Sequence, residues 1–186
     1  MHRVPPTLRT ERLVLRPFAR EDASEVASVL DDAEVGRFLL HVPHPYSDVE
    51  AMRWITAWAR RWLNGRGVAL AVTAKDEIIG AVTLTLQPDH RRAELGYWLG
   101  TSHWGKGLAV EAAHAAIDWG FRELKLERVF AQYLDGNKRS GRVLEKLGMM
   151  REGVRRAHVR KGNRNFDAHQ FGVLKKEWRQ RWQDRS

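Results

Sequence analysis

The chain has no cysteine among its 186 residues, which removes disulfide frameworks, thiol nucleophiles and thiolate metal sites from consideration. Acidic residues are in deficit: 23 Asp and Glu stand against 32 Lys and Arg, a formal charge of +9. Such a surface draws anionic partners such as nucleic acid, ribosomes, phosphorylated cofactors or acidic lipids, or is simply a solvated basic face. No apolar run reaches the length of a membrane span, and the opening "MHRVPPTLRTERL" lacks the apolar stretch of a secretion signal. A cytoplasmic protein with no membrane partner is expected. The histidines at 41, 44, 90, 103, 114, 158 and 169 show no metal-ligand spacing, so no metal is expected. Repeats, low-complexity runs and linkers are also missing, and the length suits one domain over 1–186 with a basic tail from about 175.

What is present divides into periodic segments. "RLVLRPF" (12–18) alternates apolar and polar residues and closes at Pro17, an opening strand with one buried face. "EDASEVASVL" spaces Ala23, Val26, Ala27 and Leu30 as a helix. Ser47 with Glu50 three residues on has capping-box spacing and starts a second helix, whose Trp54, Trp58 and Trp62 point toward the core. "GVALAVTA", "IIGAVTLTL" and "RAELGYWLG" read as three strands, the first two joined by a turn at "AKDE". A helix follows Gly107, then the strand "RVFAQYL", a short helix in "NKRSGRVLEKLGMM" stopped at Gly148, and strands ending in "FDAHQFGVLKKEW". The expected order is β-α-α-β-β-β-α-β-α-β-β, an α/β domain with a mixed sheet under helices.

The segment "GTSHWGKGLAVEAA" (100–113) joins the third of those strands to a helix. It fits the nucleotide-binding pattern Gly-x-x-x-x-Gly-Lys through Lys106, then has Gly107 where Mg²⁺ needs Ser or Thr. Asp135 could imitate the acid of that motif, but Gln132 interrupts the apolar strand before it. A phosphate cradle needs less. Gly105 and Gly107 permit close backbone approach, Lys106 adds charge, and the helix beginning at Leu108 and Ala109 offers free N–H groups. A tight strand-to-helix turn with no ligand would satisfy the same letters.

"ELGYWLGTSHWGKGLAVEAA", with "NKRSGRVLEKLGM" and "GVLKKEW", resembles the GNAT acetyltransferase superfamily, and within it the RimJ and RimL type of ribosomal-protein N-terminal acetyltransferase. The likeness runs from "TERLVLRPF" to "KKEW". It implies a single-domain, mostly antiparallel mixed sheet split at its centre and flanked by helices. It also implies acetyl-coenzyme A as cosubstrate, its pyrophosphate on the backbone of Gly105, Lys106, Gly107, Leu108 and Ala109. The family loop pattern falls on Trp104, Gly107 and Ala109, with Trp104 departing from the usual Gln or Arg. By position, the strand backbone at Trp98, Leu99 and Gly100 would hold the pantetheine arm and polarise the thioester.

The resemblance further assigns Asn137 to the cofactor and Ser140 to protonating the leaving thiolate; local helix capping would explain both residues as well. For the base, alternation puts Glu94, Gly96 and Trp98 on one face, where Glu94 could take a proton through water, or else be a solvated charge or pair with Arg91 or Arg92. Some relatives carry Glu shortly after "REG"; this chain has Ala157 and His158 there, so His158 is a second candidate. The expected acceptor is a primary amine, foremost a protein N-terminus on a ribosomal or other protein, bordered by His41, His44 and Tyr46. Small amines such as polyamines, amino sugars or aminoglycosides are the alternative, although clustered acids are few for a cationic ligand. An RNA- or ribosome-binding protein using "VRRAHVRKGNRN", and a non-catalytic coenzyme A sensor, are the remaining classes. Nucleic acid is expected to be met only through the ribosome, and a homodimer is left open.

Overall fold

Alternation at the start of the chain becomes structure directly. In strand β2 (Val14–Pro17) Leu15 is buried, while Arg16 reaches sideways to grip Asp22 through two hydrogen bonds of 2.8 and 2.9 Å. The computed structural model describes residues 4–40 and 42–182. A short strand β1 (Leu8–Arg9) precedes β2, and helices α1 (Ala23–Leu30), α2 (Ala33–Gly36) and α3 (Asp48–Leu63) follow it. Ser47 caps α3 as its spacing predicts, its Oγ accepting from the Glu50 N–H. Of the three tryptophans on α3, Trp62 is buried and Trp54 and Trp58 are half-buried.

Strands β3 (Gly67–Ala74), β4 (Glu77–Gln87) and β5 (Arg92–Leu99) form an antiparallel meander. Helix α4 (Leu108–Arg122) crosses to β6 (Arg128–Leu134), which lies parallel to β5. Helix α5 (Lys138–Lys146), the hairpin β7 (Met150–Lys161) and β8 (Arg164–Leu174), and α6 (Lys175–Trp182) complete the described chain. The sheet has eight strands in the order β1-β2-β3-β4-β5-β6-β8-β7, antiparallel at every junction except β5 with β6.

That exception positions everything that follows. β5 and β6 pair only at Arg92 with Arg128, Ala93 with Val129 and Glu94 with Phe130. Beyond Glu94, β5 stays with β4 up to Leu99 and β6 stays with β8 up to Leu134, so the sheet opens into a wedge. Each face of the sheet has its own core. On one, Ala112, Ala113, Ala116 and Ile117 of α4 pack on Leu84, Ala93, Leu95 and Val129. On the other, Val26, Leu30, Ala51 and Ile55 of α1 and α3 pack on Ala71 and Ile78.

Three elements differ from the expected order: β1, α2, and α6 in place of a basic tail. "KKEWRQRW" has too few apolar residues to show a buried face, but Lys, Glu, Arg and Gln all favour helix. Trp178 anchors it, 1 % exposed, against His114 and Phe121 at ring distances of 4.8 and 6.0 Å. Truncating such a buried ring costs about 3–5 kcal/mol, so the segment is structural.

Candidate active site

The wedge holds a cavity of about 460 Å³ lined by β5 and β6, the loop after β5, the first turn of α4, α5 and the segment after α2. Its floor follows from strand chemistry. The Gly100 N–H donates to Ile79 O at 2.9 Å, and the antiparallel ladder alternates from that pair, turning Trp98 and Gly100 toward β4. Leu95 therefore closes the last pair with β6, and Tyr97 and Leu99 turn their backbone groups toward the wedge, where β6 has moved away. Leu99 keeps only its N–H free, because its carbonyl accepts from Trp104 Nε1 at 2.8 Å. Trp98 and Leu99 line the cavity as residues, whereas Gly100 serves as the turn leaving β5.

At the end of the wedge the chain makes the turn that the glycines allow. Gly107 is the N-cap of α4 with φ 78°, a left-handed conformation that side chains resist, and it brings no capping side chain. The first helical bond runs from the Glu111 N–H to Gly107 O at 3.1 Å, so the N–H groups ahead of Glu111 are open to a ligand. A Cβ built on Gly105 would meet nothing within 4 Å. Gly105, Gly107, Leu108, Ala109 and Val110 all face the cavity, and the guanidinium of Arg139 lies 4.6 Å over the Trp104 ring at its edge, with Arg142 and Lys146 beyond. Helix-end N–H groups with cations around the rim could hold a diphosphate here. Lys106 does not line the cavity; its carbonyl accepts from Arg12 at 3.0 Å, and Arg12 is in turn paired with Glu111 of α4. That Arg12–Glu111 clasp holds the loop.

Side chains with proton chemistry flank the wedge on opposite faces. Tyr97 shares the α4 face with Leu95, and its hydroxyl is 2.8 Å from Ser140 Oγ and 3.2 Å from the Ser140 carbonyl. Burial pushes the Tyr97 pKa well above its ordinary value, so the phenol stays protonated. Gly141 lets α5 lie close on β6, because a Cβ there would sit 3.0 Å from the Tyr133 ring. Asn137 caps α5, its Oδ1 accepting from the Ser140 N–H at 3.2 Å, and both residues also line the cavity.

Glu94 projects from the other face with Gly96 and Trp98, and Trp98 packs on Trp54 of α3 at 6.3 Å. Neither Arg91 nor Arg92 pairs with it: Arg91 bonds Glu127, and Arg92 bonds Gln87. Burial raises the Glu94 pKa, opposed by the positive charge of Arg155 and a hydrogen bond from Gln132. Glu94 and Gln132 line both the wedge and a second hollow of about 650 Å³ beside it, against β7. His158 stands in the wall of that second hollow, exposed, with Nε2 3.2 Å from Arg155.

Two of the loop residues expected near the acceptor, His44 and Tyr46, do not line the cavity. Tyr46 is 6 % exposed in the core under α1 and α3, where burial pushes its pKa up to about 12, and its N–H donates to Asp31. His44 faces Asp31 at 4.0 Å and packs against Gly36. His41 lies outside the described residues. The cavity is instead bordered on that side by Glu34, Phe38, Leu39 and Leu40, held by Lys161, whose ammonium donates to the carbonyls of Gly36, Arg37 and Leu39. Tyr97, Arg139, Arg142 and the Arg12 clasp carried no motif of their own.

Among the described residues no group of three or more His, Asp or Glu could hold a metal, and no helix is long and apolar enough to cross a membrane. Residues 12–150 match the family model for the acetyltransferase (GNAT) domain. The uncharacterized N-acetyltransferase p20 of Bacillus licheniformis is 35% identical over 92% of this chain and 98% of its own length. The ribosomal protein uS5-alanine N-acetyltransferase of Escherichia coli is 31% identical, covering 82% of each chain. A crystal structure of a probable acetyltransferase, 27% identical, superposes with a TM-score of 0.86 over 93% of this chain and 99% of its own. A wedge with free strand donors leading to a diphosphate cradle is what a coenzyme A thioester requires, and with these matches the chain belongs to the GNAT acetyltransferase family as an acetyl-CoA-dependent N-acetyltransferase.

Proposed function

We propose that this protein transfers the acetyl group directly to a primary amine presented by a polypeptide, foremost a protein N-terminal α-amine. The observation carrying the reading is that Glu94 and the Tyr97–Ser140 pair reach one wedge from opposite faces of the sheet. Bound acetyl-CoA supplies the activated thioester carbonyl. The N–H groups of Tyr97 and Leu99, beyond the last β5–β6 pair, supply donors along the wedge for charge developing on the carbonyl oxygen. Glu94, its basicity raised by burial, takes the proton from the attacking amine directly or through one water. Ser140 gives its proton to the departing sulfur, and the Tyr97 hydroxyl beside it can donate in its place. Asn137 supports Ser140 by fixing the first turn of α5.

An α-amine with a pKa near about 8 is partly neutral at physiological pH, whereas a lysine near about 10.4 is not, so one half-buried carboxylate suffices for the former. The Escherichia coli relative, by its name, acetylates an alanine of ribosomal protein uS5. The same chemistry here would act in the cytoplasm. Thiol release from acetyl-CoA, measured with N-terminal peptides, polyamines, amino sugars and aminoglycosides, tests the reading. Peptide turnover blocked by prior N-terminal capping is expected. Turnover of spermidine or an aminoglycoside with every peptide inert would overturn the polypeptide assignment.

A further inference from the structure

The second hollow lies on the Glu94 face, where β4, β5, β6 and β8 form its floor and β7 its wall. Its charges are not balanced. Arg128 is neutralised by a two-pronged bond to Glu152. Arg92 spends its Nε on the neutral Gln87 side chain at 2.7 Å, and its guanidinium lies 5.6 Å over the Phe130 ring. Arg155 hydrogen-bonds the ring of His158 at 3.2 Å, which is no anion, and its charge is felt by Glu94 without an ion pair. No carboxylate among the described residues comes within ion-pair distance of Arg92 or Arg155.

With Glu152 committed to Arg128, Glu94 is the one lining carboxylate without an ion-pair partner, and it faces two guanidiniums likewise without one across a hollow that opens onto the reaction wedge. An amine arriving alone, as a cation, would meet a positive wall. An amine with a carboxylate a few bonds away would put its nitrogen at Glu94 and its anion on the arginines, whose planar forks suit carboxylates. We infer that the acceptor carries a carboxylate close to its reactive amine, bound in this hollow by Arg155 and Arg92. This deepens the acetyl-transfer reading and rests on it. The carboxylate has two sources, an acidic side chain following the N-terminal residue or the α-carboxylate of a free amino acid.

Initial rates of thiol release by the full chain, with peptides identical except for Asp, Asn or Lys at the second position, separate the outcomes. The Asp peptide is expected to exceed the Asn peptide in kcat/KM by about tenfold or more, the low end for a charge-assisted hydrogen bond, with the Lys peptide lowest. Arg155 is exposed, so Arg155→Glu should fold, verified by its melting temperature, and should reverse the order of Asp and Lys. Arg92→Gln should compress the Asp preference without reversing it. Equal rates for Asp and Asn, or a preference for Lys, would overturn the inference while leaving acetyl transfer to peptides intact. Turnover of free aspartate and glutamate with all peptides inert would support the carboxylate requirement and remove the polypeptide acceptor instead.

Discussion

The Tyr97 hydroxyl and Ser140 Oγ stand 2.8 Å apart, one on β5 and the other on the first turn of α5, across the cavity that the split sheet creates. Two hydroxyls in one hydrogen bond can back each other up as proton donors. Ser140→Ala is therefore expected to lower kcat by about 10²-fold, the low end for a general acid, with coenzyme A affinity little changed. Adding Tyr97→Phe should deepen the loss beyond the product of the two single effects, since each single variant retains one donor. Steady-state rates of both single variants and the double variant check this; strictly multiplicative losses would mean that the hydroxyls act independently.

Gly107→Val should weaken coenzyme A binding by tenfold or more. A Cβ there would find only Arg12 at 3.5 Å, an ordinary contact, so the cost lies in the φ of 78°. Such strain is about 1–3 kcal/mol, and relieving it would turn the N–H groups of the cradle. Lys106→Ala should change binding much less, as that side chain does not line the cavity. Calorimetric titration with coenzyme A compares the two directly.

Lys161 ties the tip of the β7–β8 hairpin to the segment that carries Phe38 and Leu39. Lys161→Met should cost about 1–2 kcal/mol in a urea melt, the scale of a lost charged hydrogen bond in a partly solvated place. It should also raise the acceptor KM more than that of acetyl-CoA. Equal changes in both KM values would argue for a general loss of structure.

His114 is wedged against Trp178 and Trp182, and its Nε2 is buried with no hydrogen-bond partner. Burial lowers its pKa, with Asp118 pulling the other way, so the folded chain holds the ring neutral below the pH at which the unfolded chain protonates it. The unfolded state then binds more protons as pH falls below about 6.5, and stability declines from there down to the folded-state pKa. Thermal melts between pH 7.5 and 5, followed by tryptophan fluorescence, should show this slope in the wild type and a shallower one in His114→Phe. Identical slopes would assign the acid sensitivity to other groups.

How far the letters alone carried can be judged residue by residue. The glycines at 105 and 107 announced a turn into a helix because left-handed backbone has few other occupants, and Ser47 announced α3 through its cap. Asn137 and Ser140 were visible as a spaced pair, and Glu94 as a carboxylate on an apolar strand. Tyr97 was hidden because its partner is 43 residues away, and no local pattern encodes an approach set by how far β6 diverges from β5. Likewise Tyr46 looks polar in a loop, but its ring fills the core under α1 and α3. The helix at 175–182 was hidden for another reason: Trp178 and Trp182 are its only apolar residues, and a single i, i+4 pair is too short to show a period.

The central claim, that acetyl transfer occurs in this wedge with Glu94 as base, is tested most directly by the pH dependence of kcat with a saturating N-terminal peptide. Wild-type kcat should fall on the acid side through an ionisation above the ordinary carboxylate range, because burial raises Glu94 and its basic form is lost as pH drops through that value. Glu94→Gln should lack this limb and be slower near neutrality by up to about 10²-fold, the gap narrowing above pH 8 as the amine loses its own proton. An identical profile and rate in wild type and Glu94→Gln would contradict the assignment.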